Sequence, residues 1–124
     1  MDHGYITITV RSAGGAIPVQ DAVVTVKDAD GNILYVEFTD RSGNTPHLSV
    51  PAPPKENSQS PNPSSPPFYS YNIDTDKPGY RSVRNLSIPV YPGVTSIQPV
   101  ELLPIPEGAS NVPEIYPESY PPQL

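Results

Sequence analysis

The side chains able to do chemistry are few and widely spaced. His3 and His47 are the only imidazoles, and there is no cysteine. Without cysteine, disulfides, zinc–thiolate sites and a thiol nucleophile are all excluded. Serines are plentiful, but none sits in a Gly-x-Ser-x-Gly turn accompanied by a histidine and an acid. Asp28-Ala29-Asp30-Gly31-Asn32 crowds oxygen atoms in the manner of a calcium loop. Such a loop also needs a bidentate Glu at fixed spacing, and Glu37 falls within a strand pattern instead. Asp40, Ser42 and Asn44 invite the same comparison and fail it for the same reason. Both stretches read as hairpin turns, since Asp bonds nearby backbone N–H groups and Gly accepts positive φ. No catalytic residue, metal ligand or cofactor site is expected, and the chain reads as a non-enzyme.

The tyrosines are the sharper candidates. Tyr69, Tyr71, Tyr80 and Tyr91 are candidates for a sugar-stacking surface, with packing in the core or at a sheet edge as the alternative. Tyr116 and Tyr120, near the C-terminal end, are candidate anchors for a partner's groove. Proline-rich segments bind at low entropic cost because polyproline II is preformed. An ordinary disordered end is the alternative for these two.

The elements that must carry these residues are strands. Tyr5 to Arg11 alternates, with Ile6, Ile8 and Val10 on one face and Thr7, Thr9 and Arg11 on the other. Val23 to Lys27 is a second strand, with Ala22, Val24 and Val26 inward. Ile33 to Thr39 follows the Asp-Gly turn, with Leu34, Val36 and Phe38 expected in the core. His47 to Val50 makes a short strand. β patterning resumes at Tyr69 to Asp74, Tyr80 to Leu86 and Ile88 to Tyr91. The last strand runs from Thr95 to Leu103, with Ile97, Val100 and Leu102 available to the core and Pro99 marking an edge or bulge. Residues 51–67 hold seven prolines among Ser, Asn and Gln, which predicts an extended loop partly in polyproline II. Residues 104–124 alternate Pro and Glu and are too poor in apolar side chains to order themselves.

Composition agrees. The 124 residues include 19 prolines, and hydrophobic residues make up 35%. That length suits one domain with a tail. The net charge is −6, and the seven basic residues are scattered rather than clustered. Neither nucleic acid nor an anionic membrane surface is an expected partner. No apolar run approaches the ~18–20 residues that span a bilayer, so no membrane insertion is expected. Met1-Asp2-His3-Gly4 carries no basic or apolar region of a secretory signal, so the chain as given is expected to be soluble.

The expected fold is all-β: a single antiparallel β-sandwich of about seven strands, prealbumin- or Ig-like. Ala16-Ile17-Pro18-Val19-Gln20-Asp21-Ala22-Val23-Val24-Thr25-Val26, Thr39-Asp40 with Gly43, and Lys77-Pro78-Gly79-Tyr80 resemble the carboxypeptidase regulatory-like (transthyretin-like) sandwich superfamily. The resemblance covers residues 4–105 and leaves 106–124 as an acidic tail, expected to be disordered or partner-bound. A narrower resemblance is to the N-terminal module of bacterial spore cortex-lytic proteins. It rests on Val50 to Pro54, Pro67-Phe68-Tyr69-Ser70-Tyr71-Asn72-Ile73, and the run from Pro92-Gly93-Val94 to Leu103-Pro104. Such modules accompany peptidoglycan-processing or peptidoglycan-binding domains. Here a Pro-rich tail follows instead, so lytic activity does not carry over.

The ureide-hydrolysing branch of the transthyretin-like group carries a Tyr-Arg-Gly-Ser motif that is missing here. Adhesin stalk sandwiches form a Lys–Asn or Lys–Asp bond from a first-strand lysine. Thr7, Thr9 and Arg11 occupy that strand in this chain, so the bond is not expected. The resemblance implies a non-catalytic module for protein placement or assembly at a spore or cell envelope. Two alternatives stand beside it: a peptidoglycan or carbohydrate binder using exposed tyrosines, and a homo-oligomeric structural subunit with Pro-rich arms.

Overall fold

The computed structural model describes residues 2–54, 68–106 and 108–116. All nine of its elements are strands: β1 (Asp2–Ser12), β2 (Ile17–Pro18), β3 (Val23–Asp28), β4 (Ile33–Phe38), β5 (Leu48–Ala52), β6 (Tyr69–Asp76), β7 (Val83–Val90), β8 (Thr95–Leu102) and β9 (Glu114–Tyr116). The loop expected over 51–67 lies outside the described residues from 55 onward.

The strands form two sheets, and the all-β sandwich expected from the alternation is what the structure shows. In the first sheet β1 pairs in parallel with β8 along one edge. Both β5 and β2 pair antiparallel to β1 at register positions that overlap those of β8. They must therefore share its opposite edge. The second sheet runs β4-β3-β6-β7-β9, antiparallel except for the parallel β7–β9 pair. The pairing is thus mixed, and the described residues hold nine strands rather than about seven. The additions are β2 and β9, two and three residues long. Such short pieces are held by tertiary pairing and leave almost no alternation to read.

The core lies between the inward faces. Ile6, Ile8 and Val10 of β1 face Val24 and Val26 of β3 and Ile73 of β6, and all six are fully buried. Each such side chain contributes roughly 1.5–3 kcal/mol. Two expectations about this core need correction. Leu34, Val36 and Phe38 are 38%, 53% and 59% exposed, because Tyr35, paired with Val26, and Glu37, paired with Val24, take the inward face. Tyr35 packs on the core and its hydroxyl donates to the Ser49 carbonyl at 2.7 Å. Its polar tip is thereby satisfied at the rim of the sandwich. Ile97 is 68% exposed, and Gln98, Val100 and Leu102 are the inward residues of β8.

The strands expected over 80–86 and 88–91 are one strand, β7. Tyr71 pairs with Ile88 and Ile73 with Asn85, so one extra residue is inserted on the β7 side. Ser87 takes φ 59 there, and its N–H donates to Asn72 Oδ1 at 3.0 Å. That is a β-bulge, and it restores Ile88 and Val90 to the core.

Gly43 shows how tightly the layers meet. It sits at φ 81, and a Cβ on it would land on the Val10 carbonyl oxygen. Gly31 has a similar φ of 88 with nothing near. Gly31→Ala should cost about 1 kcal/mol of backbone strain, whereas Gly43→Ala should cost at least ~2–3 kcal/mol by adding a backbone clash to that strain. Urea unfolding of the two variants checks the difference.

Candidate functional site

The two Asp-rich turns are built alike. Asp28 Oδ1 accepts from the N–H groups of Asp30 and Asn32, both at 2.9 Å, and Asp28 Oδ2 accepts from Asn32 Nδ2 at 3.1 Å. Asp40 Oδ1 accepts from the N–H groups of Ser42 at 2.9 Å and Asn44 at 3.0 Å. In both, the carboxylate is engaged by its own loop, which is hairpin geometry. The Asn32 side chain, followed by the Asn32 backbone N–H, holds the Asp28 carboxyl below the usual carboxylate range. Among the described residues, no group of three or more His, Cys, Asp or Glu side chains is placed to hold a metal ion. His47 is exposed and stacks on Tyr5 with ring centroids 5.7 Å apart.

The structure separates the tyrosines. Tyr69 opens β6 and is partly exposed, while Tyr91 leans on Phe68 at 5.4 Å at the same end of the sandwich. Tyr71 is only 3% exposed, and its hydroxyl donates to the Pro51 carbonyl, which bridges the sheets. Tyr80 follows the turn at the far end of β6 and packs against the core. Tyr116 is exposed on β9, and Tyr120 lies outside the described residues. Among the described residues, Tyr69 and Tyr71 lie two apart on β6, and Tyr91 follows Val90, the partner of Tyr69.

The Tyr71 contact is sensitive to pH. Burial, with the Tyr69 and Asp28 charges adding to it, pushes the phenol up to about 12. An unfolded tyrosine ionises near ~10. The folded state therefore holds its proton longer, and this contribution is complete below pH ~10 and lost as pH rises toward ~12. Tyr71→Phe should lower stability by roughly 1 kcal/mol at pH 8 through the lost hydrogen bond. Its stability should also fall less steeply than the parent's above pH 10. Urea midpoints followed across that range check both effects.

One feature escaped the alternation pattern altogether: a surface at the free edge of β4. Among the described residues this strand pairs with β3 alone, and Ile33, Leu34, Val36 and Phe38 are all exposed. The other sheet edges are blunted. Pro51 lies in β5, Pro99 in β8 and Pro18 in β2, and β9 is three residues long. Prolines and short strands are standard protection against edge-to-edge pairing. The β4 edge carries no proline and no lysine, so its backbone groups and apolar side chains are presented together.

These features define a two-sheet β-sandwich with one unprotected apolar edge. No protein-family model matches the chain. No curated protein matches it either. Solved structures do share the fold. The Bacillus anthracis TIE protein superposes with a TM-score of 0.56 at 14% identity, over 84% of this chain and 17% of that one. The major pilin subunit of Bacillus cereus, BcpA, superposes at 0.50 and 12% identity, over 81% of this chain and 28% of that one. This chain thus spans well under a third of either neighbour.

Proposed function

We propose that this chain is a non-catalytic structural module that takes part in protein assembly at a bacterial spore or cell envelope. The observation that carries the reading is the β4 edge. A strand with free N–H and C=O groups along one side is a template for a further strand. Four apolar side chains grouped on it also mark a contact surface. The likeness to a structure described as a pilin subunit supports assembly as the setting. The two-sheet fold also accommodates the carboxypeptidase regulatory-like resemblance over residues 4–105, with β9 (Glu114–Tyr116) joining the second sheet from the segment expected to be a tail.

The partner to which the proposal commits is a second copy of this chain. An antiparallel β4–β4 pairing across a two-fold axis would extend the sheet and place like apolar residues against one another. Sedimentation of the full chain over a wide concentration range should then show self-association. The double variant Val36→Lys, Phe38→Lys should remain monomeric, with stability within about 0.5 kcal/mol of the parent because both sites are exposed. A parent chain that stays monomeric at every concentration would rule out the second copy as partner.

A further inference from the structure

The strand order places the chain's ends in one mechanical unit. β1 is held on both edges: eight Cα pairs join it to β8, from Tyr5–Thr95 to Ser12–Leu102, and five join it to β5, from Asp2–Ala52 to Ile6–Leu48. Because β1 and β8 are parallel, the start of β1 and the end of β8 lie at opposite ends of their ladder. From the first registered pair to the last is about 23 Å, seven steps at ~3.3 Å. Tension entering before Asp2 and leaving after Leu102 acts along the strands and slides one past the other. All the rungs then bear load together. A hairpin such as β3–β4, pulled apart at its open ends, instead breaks one rung at a time.

The clamp is shielded from competing water. On the inner face Ile6, Ile8 and Val10 are fully buried. On the outer face the Tyr5–His47 stack covers one end, and Thr9 Oγ1 donates to Asn44 Oδ1 at 2.9 Å farther along.

The segment after β8 behaves oppositely. β7 reverses through residues 91–94 into β8, where Ser96 Oγ donates back to the Pro89 carbonyl at 3.2 Å. β9 is parallel to β7 and pairs with its first three residues, so it starts beside the end of β8 and points back toward the end where β1 begins. Tension from beyond Tyr116 therefore peels β9 from its carboxyl end, across only three Cα pairs, Val83–Glu114 to Asn85–Tyr116. A small polar clip backs these pairs: Ser82 N–H donates to Asn111 Oδ1 at 3.1 Å, and Glu114 N–H donates to the Ser82 carbonyl at 2.8 Å.

We propose that the chain is a two-stage tensile element, in which β9 peels first and the β1–β8 ladder then holds as a shear clamp. The idea rests on the reading of the chain as a structural module, and it names the load that module bears. Once peeling has also opened the Tyr80–Pro104 bridge, where Arg81 N–H donates to the Leu103 carbonyl and Ile105 N–H to the Gly79 carbonyl, both at 2.9 Å, residues 103–116 are free and supply up to about 50 Å of slack at ~3.6 Å per residue.

Single-molecule extension of the full chain between handles at its two ends tests this. The absence of cysteine makes introduced cysteines unique attachment points. A weak event releasing no more than that slack should precede a main event. The main event should need severalfold more force than peeling the β3–β4 hairpin, pulled through Gln20→Cys and Arg41→Cys on the exposed flanks of those strands. Ile115→Pro should abolish the weak event and leave the main one unchanged.

A main event no stronger than the hairpin peel would overturn the clamp. A weak event that survives Ile115→Pro would overturn the role of β9. Because single molecules are pulled, these outcomes are independent of self-association. A monomeric chain with a strong clamp would count against the assembly reading alone.

Discussion

The fold depends on the Thr39 side chain. This residue is almost fully buried and joins the two stretches through which the chain crosses between sheets. Its hydroxyl donates to the Val19 carbonyl at 2.6 Å and accepts from the Ala22 N–H at 2.9 Å. Its own N–H donates to the Ala22 carbonyl at 3.0 Å, and its carbonyl accepts from the Asp21 N–H at 2.9 Å. Just beyond, the Gly43 carbonyl accepts from Val10 N–H at 2.7 Å, and Val19 N–H donates to the Val10 carbonyl at 3.0 Å. β1, the start of β3 and the end of β4 are thus tied at one point. A buried backbone group without a partner costs about 1–3 kcal/mol. One hydroxyl satisfies two such groups, which explains a threonine at this place in the chain.

With that point fixed, β1 becomes the central strand of its sheet and β4 the outermost strand of the other. The central position gives β1 ladders on both edges and buries its aliphatic face. The outer position leaves β4 with one ladder and an apolar face toward solvent. The contrast between these strands is topological, because their alternation of apolar and polar residues is alike. Proline in β2, β5 and β8 and the shortness of β9 blunt the other edges, which leaves β4 as the unprotected edge among the described residues.

Much of the sandwich was legible in the sequence because period-2 alternation of β-branched residues has few other solutions. The inward sets of β1 and β3 follow from it directly, and Asp28 and Asp40 mark their turns through local bonds that need no distant partner. The resemblance also drew on pieces that the structure joins: Pro18 to Ala22 meets Thr39 to Gly43 through the threonine. Illegible were the bulge at Ser87, which turns two expected strands into one, and the short strands β2 and β9. The candidate site was the least legible part. The tyrosines drew notice by type, yet their positions scatter over the sandwich, and the exposed edge was hidden inside an expected core strand.

The sequence by itself determined that the chain is all-β, where its tight turns fall and which face of β1 and β3 is buried. These depend on neighbours two to five residues apart, a range over which backbone sterics and side-chain bonding act. Only the tertiary structure decided which strands became edges, that β1 and β8 run parallel, and that Tyr35 and Glu37 rather than Val36 and Phe38 face inward. Alternation specifies two faces without saying which is covered. That choice is made when the second sheet arrives, and on β4 the Tyr35 hydroxyl meets the Ser49 carbonyl of that sheet.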